Sequence, residues 1–385
     1  MATATPTLEP QLESLPEPAG IGSVAKLVPR VTVLIPAHNE HDQIADTLAA
    51  ICRQRWLPDT IMVLTDNAPD DRLSEVVGHF VRRVTRPSIT VSSTLNNRHR
   101  KAGNLNACLA KLLPTLDPDD IVMGFDADST PDPEFIRSAC LYLTSGYSAI
   151  GATFHGRKGG GPLGLLQRAE FARFARHQHR RNHADVMSGT GWAMRVEAMR
   201  AIAQTRPDGR VYNVHSIVED YELTLALRRL RFSVLAPGEC GVVTDVMTTM
   251  ASWVSQRLRW QQGTVDELRR FGWTSYTREM VLRQILTYVG SVALPLTAVY
   301  LIWSYLLFGI SGLNPMNAPV YWALIGFITI EQAWQARKAG KLAVLSTLLI
   351  VPEIFYSVIR QYVYIRALYR SMRRKHSAWG AGTEL

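Results

Sequence analysis

The sequence predicts an α/β protein: an open, mostly parallel sheet within the first 250 residues, followed by interfacial and then membrane-crossing helices. Two observations carry this reading. Apolar, β-branched runs alternate four times with helical stretches before Phe125, the pattern of right-handed crossovers between parallel strands. Further on, no charged residue separates Arg283 from Glu331, which is hard to reconcile with a soluble fold.

The elements follow in order. Residues 1–28 are rich in Pro, Glu, Ala and Thr and lack an apolar core of the signal-peptide kind, so a disordered tail is expected. Val31 to Ile35 reads as a strand buried on both faces and stopped by Pro36, with a helix from about Asp42 to Arg53 after it. Ile61 to Thr65 is a second strand, and Asp70-Asp71 open another helix. Ile89 to Val91 is a weaker third strand, a helix ends near Leu113, and Ile121 to Phe125 supplies the fourth. In open sheets of this kind ligands bind beyond the carboxyl ends of the strands. Glu40, Asp66 and Asp126 all fall there.

Beyond a Gly-rich basic stretch, Leu163 to His183 reads as a basic helix that either lies on a lipid surface or is a solvated or packed helix of the domain. Ser188 to Met194 suggests a tight turn feeding a strand, and Ile217 to Leu223 opens a helix with acids in its first turn, where the helix dipole favours them. These assignments divide the chain into a domain over 29–250, interfacial helices over 251–283, a membrane region over 284–370 with two or three spans, and a basic tail over 371–385.

Charge supports the membrane reading. The formal net charge is +9, and residues 251–385 alone carry 15 basic and 6 acidic side chains. The positive excess therefore flanks apolar segments rather than covering the folded domain, which points to a lipid bilayer and away from nucleic acid. Arg337, Lys338 and Lys341 place one loop on the cytoplasmic side, as the basic Arg366 to Lys375 does for the tail, yet three full spans would put that tail outside. A third apolar run, Leu342 to Ile365, carries Glu353 and Arg360 on one helical face. Either one segment does not span, or the rule fails once. The four cysteines are widely spaced, without metal-site spacing, and read as reduced, buried thiols suited to a cytoplasmic domain.

The chemistry centres on Asp126-Ala127-Asp128 at the end of the fourth strand. Two carboxylates one residue apart are hard ligands for a divalent cation that also holds a diphosphate. Alone, such a triplet is weak evidence, since most only solvate a turn. Together with Asp66, Ser188 to Gly191, Glu219-Asp220 and Gln256-Arg257-Leu258-Arg259-Trp260, it resembles the family 2 glycosyltransferases, inverting enzymes of the GT-A fold that include the cellulose, chitin and hyaluronan synthases. The resemblance covers roughly Val31 to Trp260.

The resemblance implies a role for each position. Pro36, Asn39 and Glu40 would line the nucleotide pocket, Asp66 would bind the uracil ring, and Lys101 would stand near the diphosphate. Asp128 would ligate Mg²⁺ or Mn²⁺, with Asp126 reaching the ribose or the metal. Asp220 would be the general base and Glu219 its neighbour. Ser188, Gly189, Thr190 and Gly191 would floor the acceptor site, with Trp192 offering an apolar face. Gln256, Arg257, Arg259 and Trp260 would contact the diphosphate and acceptor. Met247 stands where synthases often have Pro.

The function implied is transfer from a UDP-sugar to a glycan or lipid acceptor by an integral membrane protein with a cytoplasmic catalytic domain. Processive polymer synthesis and single-sugar transfer to a lipid carrier, glycolipid or protein both stay open, as does a non-catalytic sugar-nucleotide-binding protein. Two or three helices cannot enclose a polysaccharide channel in one chain, so a channel would need a homo-oligomer or partners.

Overall fold

The computed structural model describes residues 29–38, 40–67, 72–179, 183–309 and 319–373. The N-terminal tail, Asn39, Asp70 and Asp71, the loop between the first two apolar segments and most of the basic tail lie outside the described residues.

The elements run β1 (Val31–Ala37), α1 (Ile44–Cys52), β2 (Thr60–Asp66), α2 (Arg72–Arg83), β3 (Ser88–Thr94), α3 (Arg100–Leu112), β4 (Ile121–Phe125), β5 (Thr130–Pro131), α4 (Phe135–Thr144), β6 (Ala149–Gly151), β7 (Thr153–Gly156), α5 (Gly161–His179), β8 (Gly191–Arg195), α6 (Val196–Gln204), α7 (Glu219–Arg229), β9 (Val234–Leu235), β10 (Gly241–Thr244) and α8 (Met250–Phe271). Seven strands form one sheet in the order β3-β2-β1-β4-β8-β6-β9. Its first four are parallel, and β8 runs antiparallel to both β4 and β6. A second sheet of three short strands, β5-β10-β7, stands beside it.

The period of two within β1 builds the core. Val31, Val33, Ile35 and Ala37 join one buried layer with α1 and α4, while Leu34 joins the opposite layer with α3, α6 and α7. Each such side chain contributes roughly 1.5–3 kcal/mol by leaving water. Pro36 does not end the strand as expected, because β1 continues to Ala37. Pairing with β4 stops at Leu34, so the missing N–H of Pro36 breaks no bond on that side.

The basic helix α5 takes the packed alternative: Leu166, Ala169, Phe171, Ala172 and Ala175 are buried along it. The C-terminal helices that follow are α9 (Arg278–Phe308), α10 (Pro319–Ala336), α11 (Lys341–Leu348) and α12 (Val351–Met372). Of these, α10 and α11 lie on α5, and α12 runs along α8. Helix α9 is long and apolar enough to cross a membrane, with a mean hydropathy of 1.9 over its most apolar stretch. The run from Leu342 to Ile365 is not one straight helix, since α11 and α12 meet at 81°. Ile350 turns the chain there with φ 60°, and Pro352 follows in the first turn of α12. Pro352 has no N–H to give to the Leu348 carbonyl and its ring would clash there, so α11 cannot run on through it, whereas the first turn of a new helix accepts Pro. Glu353 and Arg360 face α5, where Glu353 binds Arg173 at 2.7 Å and Arg360 lies 3.8 Å from Glu170.

Candidate active site

The site lies at the carboxyl ends of β1, β2 and β4. Asp66 ends β2, and its Oδ1 accepts from Asn97 Nδ2 at 2.9 Å. Asn97 also receives the His99 amide at 2.9 Å and donates to the Arg100 carbonyl at 2.6 Å, folding the loop ahead of α3 against Asp66. A Cβ on Gly103 would stand 2.2 Å from Asn97 Oδ1, so only glycine admits this loop. The asparagines that follow are clamps. Asn104 donates to the Leu64 carbonyl at 2.9 Å, and Asn106 exchanges two hydrogen bonds of 2.9 Å with the backbone of Tyr212. The stretch that follows Arg100 thus fixes α3 against the sheet and aims Lys101 into the site.

Lys101 is the centre of the arrangement. Its Nζ lies 2.5 Å from Asp126 Oδ1, 3.6 Å from Glu219 Oε1 and 3.2 Å from the Gly189 carbonyl. Burial opposes its charge, but Asp126 and Glu219 outweigh that and hold its pKa above the ordinary lysine value. Asp220, in the first turn of α7, accepts from the Gly189 amide at 3.0 Å and the Tyr221 amide at 2.7 Å. Burial and the neighbouring Glu219 push its carboxyl up to about 6, against the pull of Lys101 and the two amides. A carboxylate titrating there is charged at neutral pH and close enough to it to take a proton.

Asp128 follows Asp126 on the same loop and accepts from Ser129 Oγ at 3.1 Å. Burial, then Asp126 and Asp245, raise its carboxyl to about 7, with Glu40 adding to the repulsion. A divalent cation beside it would remove that excess of negative charge. Among the described residues no cluster of three or more His, Cys, Asp or Glu side chains is arranged to hold a metal ion. One or two carboxylates completed by substrate phosphates is nonetheless the usual Mg²⁺ arrangement, and Asp126 with Asp128 fits it.

Glu40 receives the His38 amide at 2.7 Å, and His38 Nδ1 lies 2.5 Å from the Asp66 carbonyl oxygen. Ser188 and Thr190 share a hydroxyl contact of 2.7 Å beside Gly189. Gly191 is tightly packed, whereas Trp192 also lines the small cavity beside Lys101, Gly189 and Asp220. A Cβ on Gly191 would lie 2.9 Å from Val242, and Trp192 is buried across the sheet from Gly124.

The arginines of α8 separate. Positions two apart lie on different helical faces, so Arg257 and Arg259 cannot both face one diphosphate. Arg259 donates to the Ile217 carbonyl at 3.4 Å and lies within electrostatic reach of Glu219, Asp220 and Asp126. Arg257 is instead 4% exposed, binds Glu170 at 2.6 Å, and stacks on Trp260 at 4.5 Å. Its place in the expected diphosphate site is therefore corrected to a buried strut, which Gln256 joins at 2.5 Å. Trp260 forms one wall of it.

Two groups escaped the sequence reading. Arg157 joins Asp245 at 2.6 Å to the Asp128 carbonyl at 3.2 Å, tying the Asp126–Asp128 loop to the end of β10. Its only sequence signal was the basic character of the stretch before α5. Tyr212 is 2% exposed and lines a small cavity with Lys101, Glu219 and Asp220. Nothing local in the sequence marks it.

Comparison with known proteins converges on one family. The profile described as "Glycosyltransferase like family 2" matches residues 29–263. A "Probable glycosyltransferase YdaM" of Bacillus subtilis is 32% identical over 123 residues, 31% of this chain and 27% of that protein. A "Probable glucomannan 4-beta-mannosyltransferase 2" of Oryza sativa is 23% identical over 260 residues, 66% of this chain and 44% of the relative. The chain thus spans less than half the length of these two relatives. In fold, it resembles the mannosyltransferase PcManGT of Pyrobaculum calidifontis, solved with GDP-Man and Mn²⁺, at a TM-score of 0.60 and 16% identity over 90% of this chain and 88% of that one.

Proposed function

Since the chain belongs to the glycosyltransferase-like family 2, we propose that it is a membrane-embedded, metal-dependent inverting enzyme that moves a hexose from a nucleotide sugar to a hydroxyl. The observation that carries this is the convergence of Lys101, Asp126, Glu219 and Asp220 on Gly189, with Arg259 in electrostatic reach. Cations for a diphosphate and a base of suitable pKa meet at the carboxyl edge of the sheet.

In this reading Asp66 and Glu40 hold the nucleoside, a uridine by the chemistry assigned to Asp66, and Asp126 reaches the ribose. Lys101 and Arg259 face the diphosphate. Asp220 accepts the proton of the acceptor hydroxyl as that oxygen attacks the anomeric carbon, and the nucleoside diphosphate leaves from the opposite face. Asp128 and Asp126 would hold Mg²⁺ or Mn²⁺, which would supply neutralisation of the diphosphate's charge. The acceptor is a glycan or a lipid. Names of the plant relatives favour mannosyl transfer into a polymer.

Among the described helices α9 alone is long and apolar enough to span by itself; it would cross the bilayer outward, and the shorter α10 would return with Glu331 to Ala336 set in the interface. The bent pair α11 and α12 would then lie along the cytoplasmic surface, held by the ion pairs of Glu353 and Arg360. This arrangement removes the conflict in charge placement, because Arg337, Lys338, Lys341 and the basic end of α12 all fall on one side.

A binding experiment tests the metal assignment apart from turnover. Titration of the full chain with UDP and GDP is expected to show at least about tenfold tighter binding with Mn²⁺ than with chelator. Asp128→Ala is expected to abolish that gain. Equal affinity of wild type with and without Mn²⁺ would remove Asp128 from the metal's ligands.

A further inference from the structure

Away from the active site, an open cleft of about 540 Å³ lies between the end of α7 and the start of α9. Arg228, Arg231 and Arg278 line it together with Tyr276, Glu279 and Leu282. The one acid among these, Glu279, binds Arg283 at 2.6 Å and stands 3.5 Å from His183. Arg228 donates to the Ala184 carbonyl. Arg231 and Arg278 are exposed, and among the described residues no carboxylate pairs with either. Arginines gathered in a cleft repel one another unless an anion joins them, and the guanidinium fork matches a phosphate.

The cleft also has an apolar exit. Leu282 forms part of its wall and begins an exposed stripe along α9: Leu282 at 48%, Ile285 at 49%, Leu286 at 68% and Val289 at 58%. That spacing follows one face of the helix, so a continuous greasy track leaves the basic cleft along the helix assigned to cross the bilayer. A ligand with a phosphate at one end and an acyl chain at the other satisfies both parts.

We propose that this cleft binds the headgroup of an anionic phospholipid, whose acyl chain follows the exposed face of α9. The site rests on the reading of α9 as a membrane span. It lies where a basic pocket beside a span meets the headgroup layer. Its arginines take no part in the assigned chemistry, so lipid occupancy would anchor α7, which carries Asp220 at its other end, to the membrane helix.

The test uses the full chain purified in detergent with an equal mixture of phosphatidylglycerol and phosphatidylcholine, retained lipid being counted by native mass spectrometry. Wild type is expected to retain phosphatidylglycerol preferentially, and the double variant Arg231→Gln with Arg278→Gln to retain it roughly tenfold less. Glycerol 3-phosphate at equal concentration is expected not to displace the lipid. Equal retention by the variant overturns the site, and displacement by glycerol 3-phosphate overturns the lipid in favour of a soluble phosphate. Alkaline extraction of both proteins from membranes separates the two readings. Proteins that resist extraction while the variant keeps its lipid refute the cleft alone, whereas a wild type released by alkali refutes the span and the cleft with it.

Discussion

Asp220→Asn is expected to lower kcat by about 10²- to 10⁴-fold, the range for removing a positioned general base, with KM for the donor changed by no more than about twofold. The contrast follows from position. Asp220 is held by the Gly189 and Tyr221 amides at the start of α7, apart from Asp66, Glu40 and Asp128, to which the proposed reading gives the nucleotide and metal. Asparagine keeps one carbonyl oxygen for an amide and loses the proton acceptor. The pH profile gives an independent sign. The base works only when deprotonated, and its carboxyl is raised to about 6. Wild-type kcat should therefore climb with pH through about 6 and level off above it. That step should vanish in the variant. A variant retaining more than half the wild-type kcat, with the same profile, would show that another group takes the proton.

The second large effect concerns stability. Glu170 Oε2 is bound by Arg257 at 2.6 Å and by the Tyr356 hydroxyl at 2.6 Å, and Tyr356 receives the Trp253 indole N–H at 2.8 Å. This cluster joins α5, α8 and α12. Glu170→Gln leaves the Arg257 guanidinium buried without its carboxylate, which is expected to cost about 3–5 kcal/mol. Adding Arg257→Met removes the stranded charge, and because well-packed apolar side chains replace buried ion pairs at little net cost, most of the loss should return. Thermal unfolding in detergent checks both variants. A Glu170→Gln protein as stable as wild type would mean that Arg257 finds water or another anion, and the strut would lose its meaning. Arg259 sits two residues further along α8, so the single variant should also weaken binding of nucleoside diphosphate.

Much of this arrangement was legible because its elements announce themselves locally. Three of the four parallel strands, β1, β2 and β4, are buried runs, while the edge strand β3 buries only Ile89 and reads weakly for that reason; Asp66, Asp126 and Asp220 stand at predictable ends of strands or helices. The second sheet was not legible, since β5, β7 and β10 hold only two to four residues each and their pairing is purely tertiary. The bend between α11 and α12 had a signal, Pro352, but hydropathy averaged over the run from Leu342 passes over it. Arg257 and Arg259 of α8 also had one: helical periodicity alone separates them, although composition treats them alike. Tyr212 had none. It reaches the cavity beside Asp220 because Asn106 clamps its backbone, a contact across 106 residues that no local pattern encodes. The site reads from the sequence as a set of chemical groups, and the structure decides which of them share one face.

The central claim is that these groups together break the bond between a sugar and a nucleoside diphosphate. The most direct measurement is release of UDP or GDP from a panel of their hexose conjugates by the full chain in nanodiscs with Mn²⁺. At least one donor is expected to give release that chelator abolishes and Asp220→Asn reduces by 10²-fold or more. No release from any UDP- or GDP-hexose, by folded protein in detergent and bilayer alike and across candidate glycan and lipid acceptors, would contradict the account.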